Sequence, residues 1–324
     1  MIFDDSSILI TGGTGSLGKS LVSKLLANSN ARRVIIFSRD ELKQSNMRNE
    51  VGEDSRLRWF IGDIRDLERL KRALHGVDFV IHAAALKQVD TGEYNPMEFI
   101  KTNVIGSSNV IEACIDSGVK KVVALSTDKA SSPINLYGAT KLTADKLFIA
   151  ANSYGSSYSS SFSVVRYGNV IGSRGSVIPY FRELSSKGLP IPLTDKRMTR
   201  FWITLEQATQ FVLDSFHQMS GGELYVPRIP SIRIVDLAKV IAPNSPIEEI
   251  GMRPGEKLHE EMISFDDSRR TTFVGDRYVV SPVVPSSGYS FPQGEMVPEG
   301  FIYQSNTNDY WVSGDELSKL LSEI

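Results

Sequence analysis

Three consecutive residues, Thr127, Asp128 and Lys129, set a hydroxyl, an acid and an amine side by side. Such a set can take one proton and deliver another, which is what general acid–base chemistry requires. Tyr137 and Lys141 follow in Tyr-Gly-Ala-Thr-Lys, four residues apart, so on a helix they share a face. An ammonium beside the phenol lowers its pKa and makes Tyr137 a usable base. Neither pattern is rare alone, since an Asp and a Lys in an arbitrary loop are usually a solvated pair. Position gives them meaning. Both follow the fifth apolar run of the chain, 122–126, and the carboxyl ends of such strands are where doubly wound sheets keep their chemistry.

A second constellation lies near the amino terminus, where Thr11-Gly12-Gly13-Thr14-Gly15-Ser16-Leu17-Gly18 follows the first apolar run and opens a helical pattern. In that context Gly12 serves a tight turn, Gly15 clears space for a pyrophosphate, and Gly18 permits close helix packing. The helix start offers backbone donors and the positive end of its dipole to phosphate. At the end of the second run, where NAD enzymes place a carboxylate, stand Ser38 and Arg39, with Lys43 a turn later. A hydroxyl and two cations suit the 2′-phosphate of NADP, although Asp40 and Glu41 also fit a solvated basic loop. Asp63 and Ile64 are placed to meet the adenine; an Asp there could equally cap the next helix.

The elements that must position these groups are legible as alternation. Apolar runs at 8–11, 34–37, 57–61, 79–83, 122–126 and 163–166 alternate with amphipathic stretches such as 16–27, the pattern of an α/β, Rossmann-type doubly wound parallel sheet. Beyond Arg166 glycines and prolines break the alternation until a clear helix at 205–219. We therefore expect a nucleotide-binding domain over 1–166, to which helix 204–219 returns. A smaller substrate-binding lobe is expected over 167–203 and 220–264, and an arm with a terminal helix, near 315–321, over 265–324.

The 324 residues carry 41% hydrophobic content and a net charge of -2, so attraction for phosphate must be local, and neither nucleic acid nor an anionic membrane is an expected partner. The first residues lack the basic and apolar regions of a secretion signal, no apolar run reaches the length of a membrane span, and Cys114 has no intrachain partner. A soluble, cytoplasmic protein is expected, with Cys114 a small core residue and no metal site.

At this point the chain resembles the extended short-chain dehydrogenases and, within them, the inverting UDP-N-acetylglucosamine 4,6-dehydratases of pseudaminic acid synthesis. The resemblance spans nearly the whole chain. It is carried by Gly-Gly-Thr-Gly-Ser-Leu-Gly, Ser38-Arg39-Asp40-Glu41-Leu42-Lys43-Gln44, His82-Ala83-Ala84-Ala85-Leu86-Lys87, Ser126-Thr127-Asp128-Lys129, Arg166-Tyr167-Gly168-Asn169-Val170, Arg174-Gly175-Ser176 and Arg253-Pro254-Gly255-Glu256-Lys257. Retaining dehydratases carry Thr-Asp-Glu and simple 4-epimerases small hydroxyl residues where this chain reads Thr-Asp-Lys. Val89-Asp90-Thr91-Gly92 departs from the family's usual apolar stretch.

The resemblance implies that Tyr137 takes the proton of the sugar's carbon-4 hydroxyl, Lys129 that of carbon 5, and that Asp128 protonates the departing carbon-6 hydroxyl, with NADP storing the hydride. It also implies cofactor contacts from Ala83, Ala85, Lys87 and Val170, and substrate contacts from Lys87, Asn169, Arg174, Gly175, Ser176, Val177, Ile178, Thr199, Arg253 and Glu256. UDP-N-acetylglucosamine is the implied substrate and a homo-oligomer the implied assembly. Two other readings remain: a retaining dehydratase or 4-epimerase on the same fold, and a non-catalytic NADP-binding scaffold.

Overall fold

The computed structural model describes residues 2–154, 160–172, 177–286 and 288–322. The first half runs β1 (Ser7–Thr11), α1 (Ser16–Asn28), β2 (Arg33–Ser38), α2 (Glu41–Val51), β3 (Leu57–Ile61), α3 (Leu67–Ala73) and β4 (Phe79–His82). It continues through α4 (Val89–Tyr94), α5 (Pro96–Phe99), α6 (Gly106–Asp116), β5 (Lys121–Leu125), α7 (Leu136–Ala150) and β6 (Ser161–Val165). These six strands pair in parallel in the order β6-β5-β4-β1-β2-β3. Helices cover both faces, α1 packing against α9 on one side and α6 against α3 and α7 on the other, so the inner strands are apolar throughout. Strand order reverses at β1, which lies between β2 and β4. That reversal opens a crevice at the carboxyl ends of the strands, beside the glycine turn and the Asp128 turn.

The second half contributes β7 (Asn169–Val170), α8 (Val177–Ser186), β8 (Ile191–Leu193), β9 (Thr199–Ile203), α9 (Leu205–Gln218), β10 (Leu224–Pro227), β11 (Ser231–Arg233) and α10 (Ile234–Ile241). After these come β12 (Ile247–Glu249), β13 (Glu261–Ile263), β14 (Thr271–Val274), β15 (Arg277–Val280), β16 (Glu295–Met296), β17 (Tyr303–Gln304) and α11 (Gly314–Ser322). A reciprocal capping box between Thr204 and Gln207 starts α9.

The doubly wound architecture is as the sequence indicates, but the main sheet is longer. β10 pairs in parallel with β6, and β15, β14 and β16 add antiparallel, making ten strands. The boundaries placed around 220–264 and 265–324 therefore cut through one sheet, because four-residue strands are too short to show a period. The smaller lobe is built on the sheet β11-β9-β7 and the pair β12-β8. Its core joins Ile178, Trp202, Ile232 and Leu237 to Val312, Leu317 and Leu321, so α11 closes this lobe. β17 pairs with β13, tying the terminal segment to the edge of the site.

Candidate active site

The turn after β5 is assembled locally. Thr127 precedes a single 3-10 turn, Asp128–Ala130, and its hydroxyl donates to Asp128 Oδ1 at 2.9 Å. Asp128 N donates to Tyr167 O at 3.2 Å, holding the turn against the next strand. The Asp128 side chain is 1% exposed and Lys129 Nζ donates to its Oδ1 at 3.0 Å. The ammonium also stands 3.3 Å from Oε1 of Glu260, itself 2% exposed, and Arg200 Nε lies 3.7 Å from that same oxygen. Burial alone would lower the pKa of Lys129; Asp128 and Glu260 overcome it and hold the ammonium well above the ordinary lysine value. Among the described residues, Asp128 Oδ2 and Glu260 Oε2 are both buried without a hydrogen-bond partner, a costly arrangement that a donor from a bound molecule would relieve.

Helix α7 presents the phenol. Asn135 caps it, accepting from Gly138 N at 2.7 Å, and Tyr137 is 8% exposed with Phe99 edge-on at 6.5 Å between ring centres. Burial pushes the Tyr137 phenol up to about 12, opposed by the Lys129 charge and the Thr127 hydroxyl. The cation acting on Tyr137 is thus Lys129. Lys141, expected in that role from its spacing, donates to Leu125 O at 2.7 Å, because the last carbonyl of β5 captures the ammonium. Burial lowers the pKa of Lys141.

Gly138 lets α7 approach the Asp128–Lys129 turn. A Cβ there would sit 2.2 Å from Lys129 O, a contact only main-chain movement can relieve. Gly138→Ala is expected to displace the Asp128–Lys129 turn, costing about 1–3 kcal/mol of stability and a larger share of turnover. Denaturation midpoints and initial rates check this, and wild-type turnover in the variant would contradict it.

Behind the turn lies a buried ion pair. Arg166 Nη2 meets Asp145 Oδ2 at 3.0 Å, both side chains under 5% exposed, and Ser126 Oγ donates to the same oxygen at 2.7 Å. Arg166 Nη1 donates to Met262 O at 2.9 Å, which fixes the strand beside Glu260 against the main sheet.

The glycine turn fits a nucleotide cofactor. Gly12 has φ +66°, and a Cβ on it would lie 2.9 Å from Ala84 backbone atoms and 3.0 Å from Ala83 C, so the Ala83–Ala84 link passes close to the turn. A Cβ on Gly18 would lie 2.5 Å from Gly13 O, which explains the tight helix entry. Gly15 differs: it is exposed and a Cβ would meet only Gly12 O, at 3.3 Å, so protein packing does not demand glycine there and the space suits a phosphate. α1 has no side-chain cap and no acidic residue in its first turn, leaving the amides near Ser16 and Leu17 without a competing carboxylate. Thr14 is buried beside them.

Ser38 is buried and its hydroxyl accepts from Gln44 Nε2 at 3.1 Å. Arg39 is half exposed and 3.5 Å from Asp63, while Lys43 is 3.1 Å from Asp40. Arg65 pairs with Asp63 at 2.7 Å. Both candidate 2′-phosphate cations are therefore reachable, each already facing a carboxylate. Ile64, expected at the adenine, is 4% exposed and lies under Gly106 of α6, so its side chain is core.

The substrate set divides. Lys87 is exposed and lines a cleft of about 290 Å³ with Leu86, Gln88 and Phe99. Arg253 and Glu256 flank the loop between Lys129 and α7, since Asn135 Nδ2 donates to Gly255 O at 2.8 Å and Lys257 Nζ to Ser131 O at 2.6 Å. Asn169 is exposed and Val170 and Val177 half buried. Thr199 is 4% exposed and its hydroxyl is taken by His259 Nδ1 at 2.8 Å and Ser305 Oγ at 2.7 Å; β9 is buried along its whole length, so Thr199 ties segments together rather than facing a substrate. Ile178 and Trp202 are core residues of the small lobe. Arg174, Gly175 and Ser176 lie outside the described residues. Glu260, Arg200 and Asp145 were not among the expected site residues.

A doubly wound sheet that brings a glycine cradle and the Thr127, Asp128, Lys129, Tyr137 cluster to one crevice defines an extended short-chain dehydrogenase. Residues 8–282 match the family described as polysaccharide biosynthesis protein, and the chain belongs to it. It is 52% identical over 330 residues to the UDP-N-acetylglucosamine 4,6-dehydratase (inverting) of Campylobacter jejuni, covering 99% of this chain and 98% of that one, and belongs to the same family as that enzyme. A UDP-glucose 4-epimerase of Rickettsia canadensis is 39% identical over 316 residues, covering 95% and 91%. Among solved structures, Pen from Bacillus thuringiensis superposes with a TM-score of 0.93 at 39% identity, covering 100% of this chain and 99% of its own. DesIV of Streptomyces venezuelae, a dTDP-glucose 4,6-dehydratase with NAD and TYD bound, gives 0.70 at 27% identity, covering 78% and 86%.

Proposed function

We propose that this chain is an NADP-dependent hydro-lyase that converts UDP-N-acetylglucosamine to UDP-2-acetamido-2,6-dideoxy-β-L-arabino-hex-4-ulose, the first step towards pseudaminic acid. The observation that carries this reading is the buried Asp128–Lys129 pair, 3.0 Å apart, close enough to the Tyr137 phenol for its charges to act on that group. The inverting dehydratase relative, similar over its full length, supports the same reaction.

A bound nicotinamide supplies a reversible store for hydride. The chain's own residues handle protons. Tyr137 takes the proton of the carbon-4 hydroxyl, with the Lys129 charge and the Thr127 hydroxyl easing ionisation of a buried phenol. The ketone formed at carbon 4 acidifies the hydrogen on carbon 5, which the Lys129 amine removes. Asp128 gives its proton to the hydroxyl leaving carbon 6 as water, and a proton added back to carbon 5, as the stored hydride is restored to carbon 6, completes the 6-deoxy ketone. Both roles follow from shifting one proton between Lys129 Nζ and Asp128 Oδ1, which the ammonium already contacts.

The Rickettsia relative favours a second reading, 4-epimerisation. Incubation with UDP-N-acetylglucosamine in deuterated water separates the two. Magnetic resonance of the product is expected to show a 4-keto-6-deoxy sugar with deuterium at an inverted carbon 5; a protonated 4-hydroxyl epimer would rule dehydration out.

Preference for NADP rests on Arg39 and Lys43 at the open rim of the cradle. Arg39→Ala is expected to weaken NADP binding about tenfold or more, the scale of one charge-assisted contact, with little change for NAD. Fluorescence titration reads both, and equal losses would contradict the assignment. The same reading makes the protein a cytoplasmic homo-oligomer, as the resemblance implies. Among the described residues no helix is long and apolar enough to cross a membrane.

A further inference from the structure

Glu260 reaches the site from a segment 131 residues downstream of Lys129, and the reaction as written above gives it no task. It is 2% exposed, its Oε1 lies 3.3 Å from Lys129 Nζ, and its Oε2 has no hydrogen-bond partner among the described residues. Its place is built rather than incidental. Glu260 N donates to Ser305 Oγ at 2.9 Å and Ser305 N returns a bond to Glu260 O at 2.8 Å, while Arg166 grips Met262 O two residues on.

We infer that Glu260 is a positioning residue that keeps one proton on the Asp128–Lys129 pair, so that the pair always enters the reaction as one base and one acid. The inference rests on the dehydratase reading of Asp128 and Lys129. The charges facing the Lys129 ammonium are Asp128 on its own turn, Tyr137 from α7, Arg200 from β9, and Lys257 and Glu260 from the segment before β13. With Asp128 alone, the ammonium would answer to one carboxylate while Arg200 and Lys257 oppose it. Glu260 adds the second negative charge.

The proton balance shows why this matters. In the observed geometry Lys129 Nζ donates to Asp128 Oδ1, which places the shared proton on the amine. Breaking one Nζ–H bond and forming one O–H bond on Asp128 gives a neutral amine for carbon 5 and an acid for the carbon-6 hydroxyl, with no proton gained or lost. Were the pair to lose that proton to solvent, the amine would remain but no acid would stand at carbon 6. Turnover therefore requires the singly protonated pair, and Glu260 extends the pH range over which that state persists. The sign follows: the carboxylates raise the affinity for this proton, so the pair keeps it up to high pH and loses it only as pH rises through the raised value.

Glu260→Gln keeps shape and hydrogen-bonding capacity but removes the charge. Two readouts on the full-length protein test the inference. In the first, Lys129 is labelled with an amine-reactive acetylating reagent across a pH series and its modified peptide quantified by mass spectrometry, without any turnover. Lys129 is expected to become reactive at a pH lower by about one unit or more, the scale of one nearby opposite charge. In the second, the alkaline limb of the kcat profile is expected to move down by the same amount, and Glu260→Asp to restore part of it. An unchanged labelling curve in folded Glu260→Gln protein, judged by circular dichroism, overturns the role of Glu260, as does a shift to higher pH. If the labelling curve shifts but the wild-type product is a 4-hydroxyl epimer, Glu260 controls Lys129 and the dehydratase reading fails instead. If Glu260→Gln does not fold, the labelling comparison is made on Glu260→Ala, which also lacks the charge, and an unchanged curve there likewise overturns the inference.

Discussion

Lys129→Ala is expected to lower turnover of UDP-N-acetylglucosamine by about two to four orders of magnitude, the usual worth of a positioned acid or base. Nucleotide binding should be retained, because the glycine cradle at the end of β1 takes no contact from Lys129. The size of the loss reflects two functions removed together. The amine that removes the carbon-5 proton is gone, and so is the charge that offsets two buried carboxylates, Asp128 and Glu260. Part of the loss should therefore appear as weaker folding or a perturbed Tyr137, which loses the cation easing its ionisation. Single-turnover rates with saturating cofactor separate chemistry from binding. Turnover within threefold of wild type would remove Lys129 from the mechanism.

Asp145→Ala is expected to destabilise the protein by about 3–5 kcal/mol, since it strands the Arg166 guanidinium where almost no water reaches it. The effect should be larger than for an exposed pair such as Arg269–Glu299, whose removal costs at most about 1 kcal/mol. Denaturant midpoints measure both. Asp145 also receives Ser126 Oγ, and Arg166 holds Met262 O, so the variant should lose activity beyond its loss of folded protein as β13 and Glu260 drift from Lys129. A destabilisation below about 1 kcal/mol would show that the pair contributes nothing beyond what water could replace.

The reasons these features were or were not legible beforehand are physical. Strands β1, β2, β4 and β5 are buried on both faces and must be nearly continuous apolar runs, so their positions are readable to within one or two residues. Helix α9 carries its own start signal in Thr204 and Gln207. Gly12, Gly15 and Gly18 are readable because each meets a different backbone requirement at fixed spacing. The role of Lys141 is not, because a spacing of four places two side chains on one face without saying that the Leu125 carbonyl, at the end of the preceding strand, will take the ammonium first.

Glu260 and Arg200 are invisible for a related reason. Their meaning comes from meeting Lys129 across the lobes; Glu260 lies just before β13, and Arg200 sits in a strand buried along its whole length, where no alternation announces which way it points. Thr199 and Ile178 are substrate contacts that the resemblance implies, yet the Thr199 hydroxyl is bonded to His259 and Ser305 and Ile178 lies in the core of the small lobe. The hairpin β14–β15 did carry a signal, Val274-Gly275-Asp276-Arg277, a two-residue glycine-first loop between short apolar strands. Its flanks are too short for alternation to be counted, so the segment 265–324 shows no strand pattern in sequence.

The most direct single test is a crystal structure of the ternary complex with UDP-N-acetylglucosamine and the nicotinamide cofactor. The account predicts carbon 5 of the sugar at about 3.5 Å from Lys129 Nζ, with the carbon-6 oxygen against Asp128 and the carbon-4 oxygen against the Tyr137 phenol, the separations of a near-attack geometry. A sugar bound in the crevice with Asp128 and Lys129 both turned away from carbons 5 and 6 would contradict it.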